Sequence, residues 1–274
     1  MIGGAQKCGT TQLHNLLIAH PQLFLPRRPQ ELHYFDLQYD RGMRWYASHF
    51  QQVSAEQKIG QTSPLYLFDK GVPERMERDL PGAKLIFVLR DPVRRAYSHY
   101  WHQVKKGSES ESFAQALALE PMRLKGSGAD RRRYSYVARG LYLEQLERFG
   151  AWPRDRIRIV LFEELISNPG AVVDSLCVFL GVERRGADCV ARARKQSNRA
   201  ALPRSTRVQQ LVRRVRPRAP RLARAIELLN LKPVRYPAMD PVVCSELAEV
   251  FREPNQALAE QFQLDLSGWT SAEG

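Results

Sequence analysis

Three short apolar runs, each followed by a stretch with helical spacing, constrain this chain more than any other feature of its sequence. The first ends at Met1-Ile2-Gly3-Gly4 and leads through a glycine-containing turn into Leu13, Leu16 and Leu17, which recur at helical intervals before Pro21 closes the run. The second is Lys84-Leu85-Ile86-Phe87-Val88-Leu89-Arg90, bounded by Pro81-Gly82 and Asp91-Pro92. The third is Arg156-Ile157-Arg158-Ile159-Val160-Leu161-Phe162, after the turn Trp152-Pro153-Arg154-Asp155. Helical patterns lie near 92–106, 112–120, 140–150 and 169–181. Strands this short and apolar are buried on both faces, so the predicted fold class is α/β, a three-layer parallel sheet flanked by helices. Such sheets bind ligands at the carboxyl ends of their strands, where loops and helix N-termini converge.

The loop after the first strand, Gly4-Ala5-Gln6-Lys7-Cys8-Gly9-Thr10-Thr11, combines a lysine, two hydroxyls and flexible glycine at a helix start. Oriented N–H groups, the positive helix end and Lys7 make a site for an anion. The spacing is not GxxxxGK[ST]: Lys7 precedes Gly9 and is followed by Cys8, which disfavours an ordinary nucleotide triphosphatase. A bare helix-capping turn accounts for Gly9 and Thr10 but leaves Lys7 unexplained.

A second anion site is expected after the second strand. Arg90 offers a planar fork that grips a phosphate through two hydrogen bonds, and Ser98, two helical turns on, adds a third. The plain alternative makes Asp91 an N-cap, Pro92 the first helical residue, and Arg94 and Arg95 part of a solvated face, leaving Arg90 and Ser98 without a role.

Lys7-Cys8-Gly9-Thr10-Thr11, and Arg90 with Ser98, resemble the 5′-phosphosulfate loop and the 3′-phosphate motif of the sulfotransferases that use 3′-phosphoadenosine 5′-phosphosulfate (PAPS), in particular their heparan sulfate and bacterial branches. The resemblance continues through Gly140-Leu141-Tyr142 and Phe162-Glu163-Glu164-Leu165 and covers most of residues 3–182. It implies a P-loop-like sheet, an enzyme, and a donor held by Lys7, Cys8, Gly9, Thr10, Thr11, Gln12, Arg90, Ser98 and Tyr142, with adenosine 3′,5′-bisphosphate as product. Gln196, Asn198, Arg199 and Arg204 are then expected in the loop that closes over the nucleotide.

The acceptor needs a base, and Arg28-Pro29-Gln30-Glu31-Leu32-His33-Tyr34-Phe35-Asp36 supplies Glu31 and His33. Alternation on an extended segment puts both side chains on one side. The resemblance makes Glu31 the general base, aided by His33, with Gln30 where the family has lysine; a surface glutamate and a packed histidine are the plain alternative. In-line sulfuryl transfer follows, in which Glu31 takes the acceptor proton, Lys7 neutralises the bridging oxygen, and no metal is required. Gly60-Gln61-Thr62-Ser63-Pro64-Leu65-Tyr66 is similar to a family segment Gly-Glu-Lys-Ser-Pro-x-Tyr but lacks its acid and its lysine. The expected acceptor is therefore a hydroxyl or amine of a carbohydrate, a glycolipid or a small natural product, with no commitment to a glycosaminoglycan.

A net charge of +13 over 274 residues points to an anionic partner. Two rivals to the sulfotransferase reading are a P-loop-type nucleotide kinase and a nucleic-acid-binding protein using the basic stretch 184–221; a third is a sulfotransferase-like protein that binds nucleotide without turnover. Four cysteines, Cys8, Cys177, Cys189 and Cys244, form no CxxC and no metal pairing, so reduced thiols and no metal site are expected. No run approaches the roughly 18 apolar residues of a membrane span. The chain therefore reads as cytoplasmic, with peripheral membrane contact left open and nucleic acid not expected as a partner. The loop follows Met1 closely, and whether residues precede it is left open. One domain is expected over 1–274: a core at 1–182 and an Arg-rich helical C-terminal extension at 183–274, read as a loop followed by short helices.

Overall fold

The computed structural model of the chain describes residues 1–27, 29–55, 57–193, 201–233 and 236–269. In chain order its elements are β1 (Ile2–Gly4), α1 (Thr10–Leu17), β2 (Leu23–Phe24), α2 (Tyr34–Leu37), α3 (Gly42–Ala47), β3 (Lys58–Ile59), α4 (Val72–Asp79), β4 (Leu85–Leu89), α5 (Pro92–Lys105), α6 (Phe113–Leu124) and α7 (Gly128–Tyr134). There follow α8 (Tyr142–Glu147), β5 (Ile157–Leu161), α9 (Phe162–Ser167), α10 (Pro169–Leu180), α11 (Gly186–Arg192), β6 (Ala201–Pro203), α12 (Thr206–Val215), α13 (Pro220–Asn230), β7 (Leu231–Pro233) and α14 (Pro241–Phe262). Backbone contacts group these into two units, Met1–Arg90 with Tyr142–Gln196, and Asp91–Leu141 with Ser197–Gly274.

The first unit holds the sheet. All three apolar runs become strands, ordered β1-β4-β5 and parallel throughout. The central strand β4 pairs with β5 from Leu85↔Ile157 to Leu89↔Leu161 and with β1 at Ile2↔Ile86. Being central, β4 is buried at every position, which is why its sequence is apolar without alternation. The expected leucines of α1, Leu13, Leu16 and Leu17, all face inward. A further parallel pair, β2 with β3, spans only two residues per strand and is too short to leave a periodic signal.

The second unit is mainly helical. The Asp91 carboxylate accepts the N–H groups of Val93 and Arg94 and Pro92 opens α5, so both capping signals read from the sequence operate. Val93, Ala96, Tyr100 and Val104 of α5 form a core with Phe113, Ala116 and Tyr136 and with Val243, Leu247 and Phe251 of α14. Arg95 does not share a solvated face with Arg94: it is fully buried and donates to the Tyr136 carbonyl, because the 100° step from Arg94 carries it onto the inner face beside Ala96 and His99. Nor does the C-terminal part consist only of short helices, since α14 runs 22 residues on an inner face repeating at Val243, Leu247, Phe251 and Leu258. Gly140 belongs here too: a Cβ on it would lie 2.7 Å from the Phe251 ring and 2.9 Å from Pro92, so only glycine fits.

Candidate active site

The loop between β1 and α1 presents backbone. Lys7 and Gly9 both take left-handed conformations, with φ of 73° and 88°. At Gly9 a Cβ would also lie 2.8 Å from the Phe162 ring, so glycine is required twice over, by dihedral and by space. No side chain caps the first turn of α1, so its leading N–H groups are not taken up by a capping side chain. Thr10 is buried and Thr11 half-buried at that turn. Gln12 reaches back to the Leu165 carbonyl at 3.5 Å.

Arg90 ends β4 beside this loop. Its guanidinium lies over the Phe162 ring at 4.6 Å, its Nη1 is 3.5 Å from the Lys7 carbonyl, and its buried Nε has no hydrogen-bond partner among the described residues. A buried guanidinium N–H without an acceptor is costly, and an anion bound there would supply one. Tyr142, almost fully buried, donates its hydroxyl to the Arg90 carbonyl at 2.8 Å and sits 3.6 Å from the Cys8 sulfur. It thus ties the loop to the end of β4 from behind. The Cys8 thiol is buried there, and none of the four cysteines is joined in a disulfide.

Glu31, His33 and Asp36 form a file. His33 Nε2 stands 3.1 Å from Glu31 Oε2, and its Nδ1 stands 2.9 Å from Asp36 Oδ2. Glu31 is the most open of the three, with 38% of its side chain exposed, whereas Asp36 shows 1%. Burial alone would strip the imidazole of its proton, but the hydrogen bonds and charges of Asp36 and Glu31 outweigh it and hold its pKa up at about 9. At neutral pH His33 is therefore an imidazolium clamped between two carboxylates. The expected extended backbone does not produce this contact: His33 is left-handed, with φ of 52°, and the turn it makes into α2 brings Asp36 back to it. Asp36 escaped the sequence reading for that reason; the spacing His33-x-x-Asp36 was its one trace.

Beneath the file, buried polar groups fix its position. Tyr66 accepts the Phe35 N–H at 3.1 Å and Gln61 donates to Tyr66 at 3.2 Å, while Tyr46 donates to Gln61 at 3.1 Å. Thr62 pairs with His14 Nδ1 of α1 at 2.9 Å. Burial depresses the His14 pKa to about 4. Gln61 and Thr62, where this chain departs from the family pattern, are both buried.

Two further expected residues, Ser98 and Arg204, lie in the second unit. Ser98 is half-buried on α5, and Arg204 is exposed at the end of β6, its backbone N–H donating to the Asn230 carbonyl at 2.7 Å. Arg199, with Gln196 and Asn198, lies outside the described residues. No helix among the described residues is long and apolar enough to cross a membrane.

A parallel sheet with a glycine-containing loop at its first strand-helix junction and an arginine just past its central strand is the layout of an α/β protein whose ligand site lies at the carboxyl ends of the strands. A sulfotransferase domain profile matches residues 1–209, and the chain belongs to the sulfotransferase family. It is 33% identical over 185 residues to human heparan sulfate glucosamine 3-O-sulfotransferase 6, a match covering 67% of this chain and 52% of that protein. The chain thus spans about half the length of this curated relative. A crystal structure of a sulfotransferase from Alicyclobacillus acidocaldarius superposes with a TM-score of 0.71 at 29% identity, covering 98% of this chain and 96% of that one. A mouse sulfotransferase crystallised with PAP shares the fold, with a TM-score of 0.52 at 16% identity over 95% of this chain and 85% of its own.

Proposed function

We propose that this chain transfers the sulfuryl group of PAPS to a hydroxyl or amine of a carbohydrate, glycolipid or small natural-product acceptor, with Glu31 as general base. The observation that carries the reading is the Glu31-His33-Asp36 file in the same unit as the uncapped first turn of α1. The donor supplies a sulfuryl group on a phosphate leaving group. The residues fit such a donor: Lys7 and the leading N–H groups of α1 suit the 5′-phosphosulfate, and the unpartnered Nε of Arg90 suits the 3′-phosphate. Ser98 and Arg204 keep the nucleotide roles that the family resemblance gives them.

In this scheme the acceptor oxygen forms its bond to sulfur as the bond between sulfur and the phosphate oxygen breaks. The acceptor proton passes to the Glu31 carboxylate. Lys7 and the α1 N–H groups offset the negative charge that gathers on the departing phosphate, so positioning and electrostatics provide most of the acceleration. His33, already protonated, is a donor and not a second base: it holds Glu31 by its Nε2–H and is itself held by Asp36. Cys8 and Tyr142 act from behind the loop.

The test is a transfer assay with radiolabelled PAPS over a panel of carbohydrate, glycolipid and small hydroxylated acceptors. Label should pass to one acceptor class with wild type and not with Glu31→Gln. Magnesium-dependent transfer of phosphate from ATP, with none from PAPS, would overturn the proposal and favour the kinase.

A further inference from the structure

Within the second unit, residues Ala201–Pro233 form a hairpin closed by an antiparallel stem, in which Ala201, Leu202 and Pro203 of β6 pair with Pro233, Lys232 and Leu231 of β7. Between the two strands α12 and α13 pack against each other. The hairpin buries Val212 and Ala223 but also polar side chains, and it leaves large apolar ones outside. Gln209, Glu227 and Asn230 are buried and bonded to one another: Asn230 donates to Gln209 Oε1 at 3.0 Å and to the Ser205 carbonyl at 3.0 Å, and Gln209 donates to the Lys105 carbonyl at 2.8 Å. The leucines point outward, with Leu211 52%, Leu222 56%, Leu228 59% and Leu229 78% exposed. Leu222 and Leu229 share one stripe of α13, with Leu228 a quarter-turn away.

The hairpin is also strongly basic. Residues 206–230 contain seven arginines and one acid, Glu227. That acid is already bound by Arg216 at 2.8 Å and by Arg224 at 3.1 Å, which outweigh its burial and hold its pKa down. Arg207, Arg213 and Arg214 of α12, Arg218 of the connecting turn and Arg221 of α13 are exposed, as the four leucines are.

We infer that the outward face of α12 and α13 docks this protein on an anionic lipid bilayer, lying in the plane of the headgroups. A soluble polyanion, whether nucleic acid or sulfated polysaccharide, would engage the arginines and leave four leucines in water. A bilayer interface takes both: guanidinium groups meet lipid phosphates, and leucines enter the boundary between headgroups and acyl chains. The buried Gln209-Asn230 clasp holds the hairpin from inside, so its outer face is presented without rearrangement. The inference goes beyond the proposed transfer reaction and does not depend on it.

Co-sedimentation of the whole chain with vesicles of phosphatidylcholine, pure or mixed with phosphatidylglycerol, tests it. Binding should require phosphatidylglycerol. Replacing Leu222, Leu228 and Leu229 together by Ser, all solvent-exposed positions, should weaken it at least roughly tenfold with every arginine retained. The combination R213Q, R214Q and R218Q should weaken it on the order of a hundredfold. As a second readout, a Leu229→Trp variant should show a blue shift of its emission on phosphatidylglycerol vesicles. Absence of vesicle binding, binding only to heparin or RNA in solution, an undiminished leucine variant, or an unshifted tryptophan would each overturn the inference.

Discussion

The β1–α1 loop and the Glu31-His33-Asp36 file belong to the same unit but are built on opposite principles. The loop works through backbone: its shape follows from left-handed Lys7 and Gly9 and from the lack of room at Gly9, and its charge comes from helix N–H groups as much as from Lys7. The file works through side chains, and its order follows from hydrogen bonds among three ionisable groups that share one proton-rich centre. Damage to the loop should therefore appear as lost fold and lost nucleotide affinity together. Damage to the file should appear as lost turnover with fold and nucleotide affinity retained.

The sharpest way to break that contrast is Glu31→Gln. It keeps shape and removes the base, so kcat should fall by roughly 10² to 10⁴ while thermal stability and bisphosphate affinity hold. A parallel loss of affinity in a titration would mean that the file also shapes the donor site. Next in size is Gly9→Ala, where a positive φ and the Phe162 contact together should cost about 1–3 kcal/mol of stability and weaken nucleotide binding with it, seen in denaturant unfolding and in calorimetry. A stable variant with normal binding would show that the loop tolerates a different backbone.

Asp36→Asn probes the file by pH. The wild-type imidazolium is favoured by both carboxylates, so its contribution is complete below the ordinary histidine value near 6.5 and is lost as pH rises through about 9. Removing Asp36 takes away one supporting charge, so the alkaline limb of kcat should move toward neutral pH, with a loss at pH 8 of roughly threefold to tenfold. An unmoved limb would assign it to another group. The smallest effect is expected for Tyr142→Phe, which removes one hydrogen bond to the Arg90 carbonyl and should cost about 1 kcal/mol in bisphosphate binding or stability.

The same contrast explains what could be read from the sequence. The strands at Leu85–Leu89 and Ile157–Leu161 and the start of α5 were legible because burial, Asp91 and Pro92 leave local marks. The loop was legible because backbone geometry that needs glycine at one position writes itself into spacing. The file was half-legible: Glu31 and His33 were visible as residues, but the left-handed turn at His33 that recruits Asp36 has no glycine to announce it. The plain alternative's solvated face for Arg95 fails because its partner, the Tyr136 carbonyl, lies 41 residues away and long-range burial overrides the surface preference of arginine. The inward Gln209 and Asn230 of α12 and α13 were hidden in an Arg-rich stretch whose composition suggested only solvated charge.

The central claim is that Lys7 to Thr11 and Arg90 receive a nucleotide carrying both a 5′ and a 3′ phosphate. The most direct measurement is calorimetric titration with adenosine 3′,5′-bisphosphate, alongside adenosine 5′-phosphate and ATP, on wild type and on Arg90→Ala. The account predicts selective binding of the bisphosphate, weakened on the order of tenfold to a hundredfold in the variant by loss of charge-assisted hydrogen bonds. ATP binding as tightly as the bisphosphate, or a variant that binds it as well as wild type does, would contradict it.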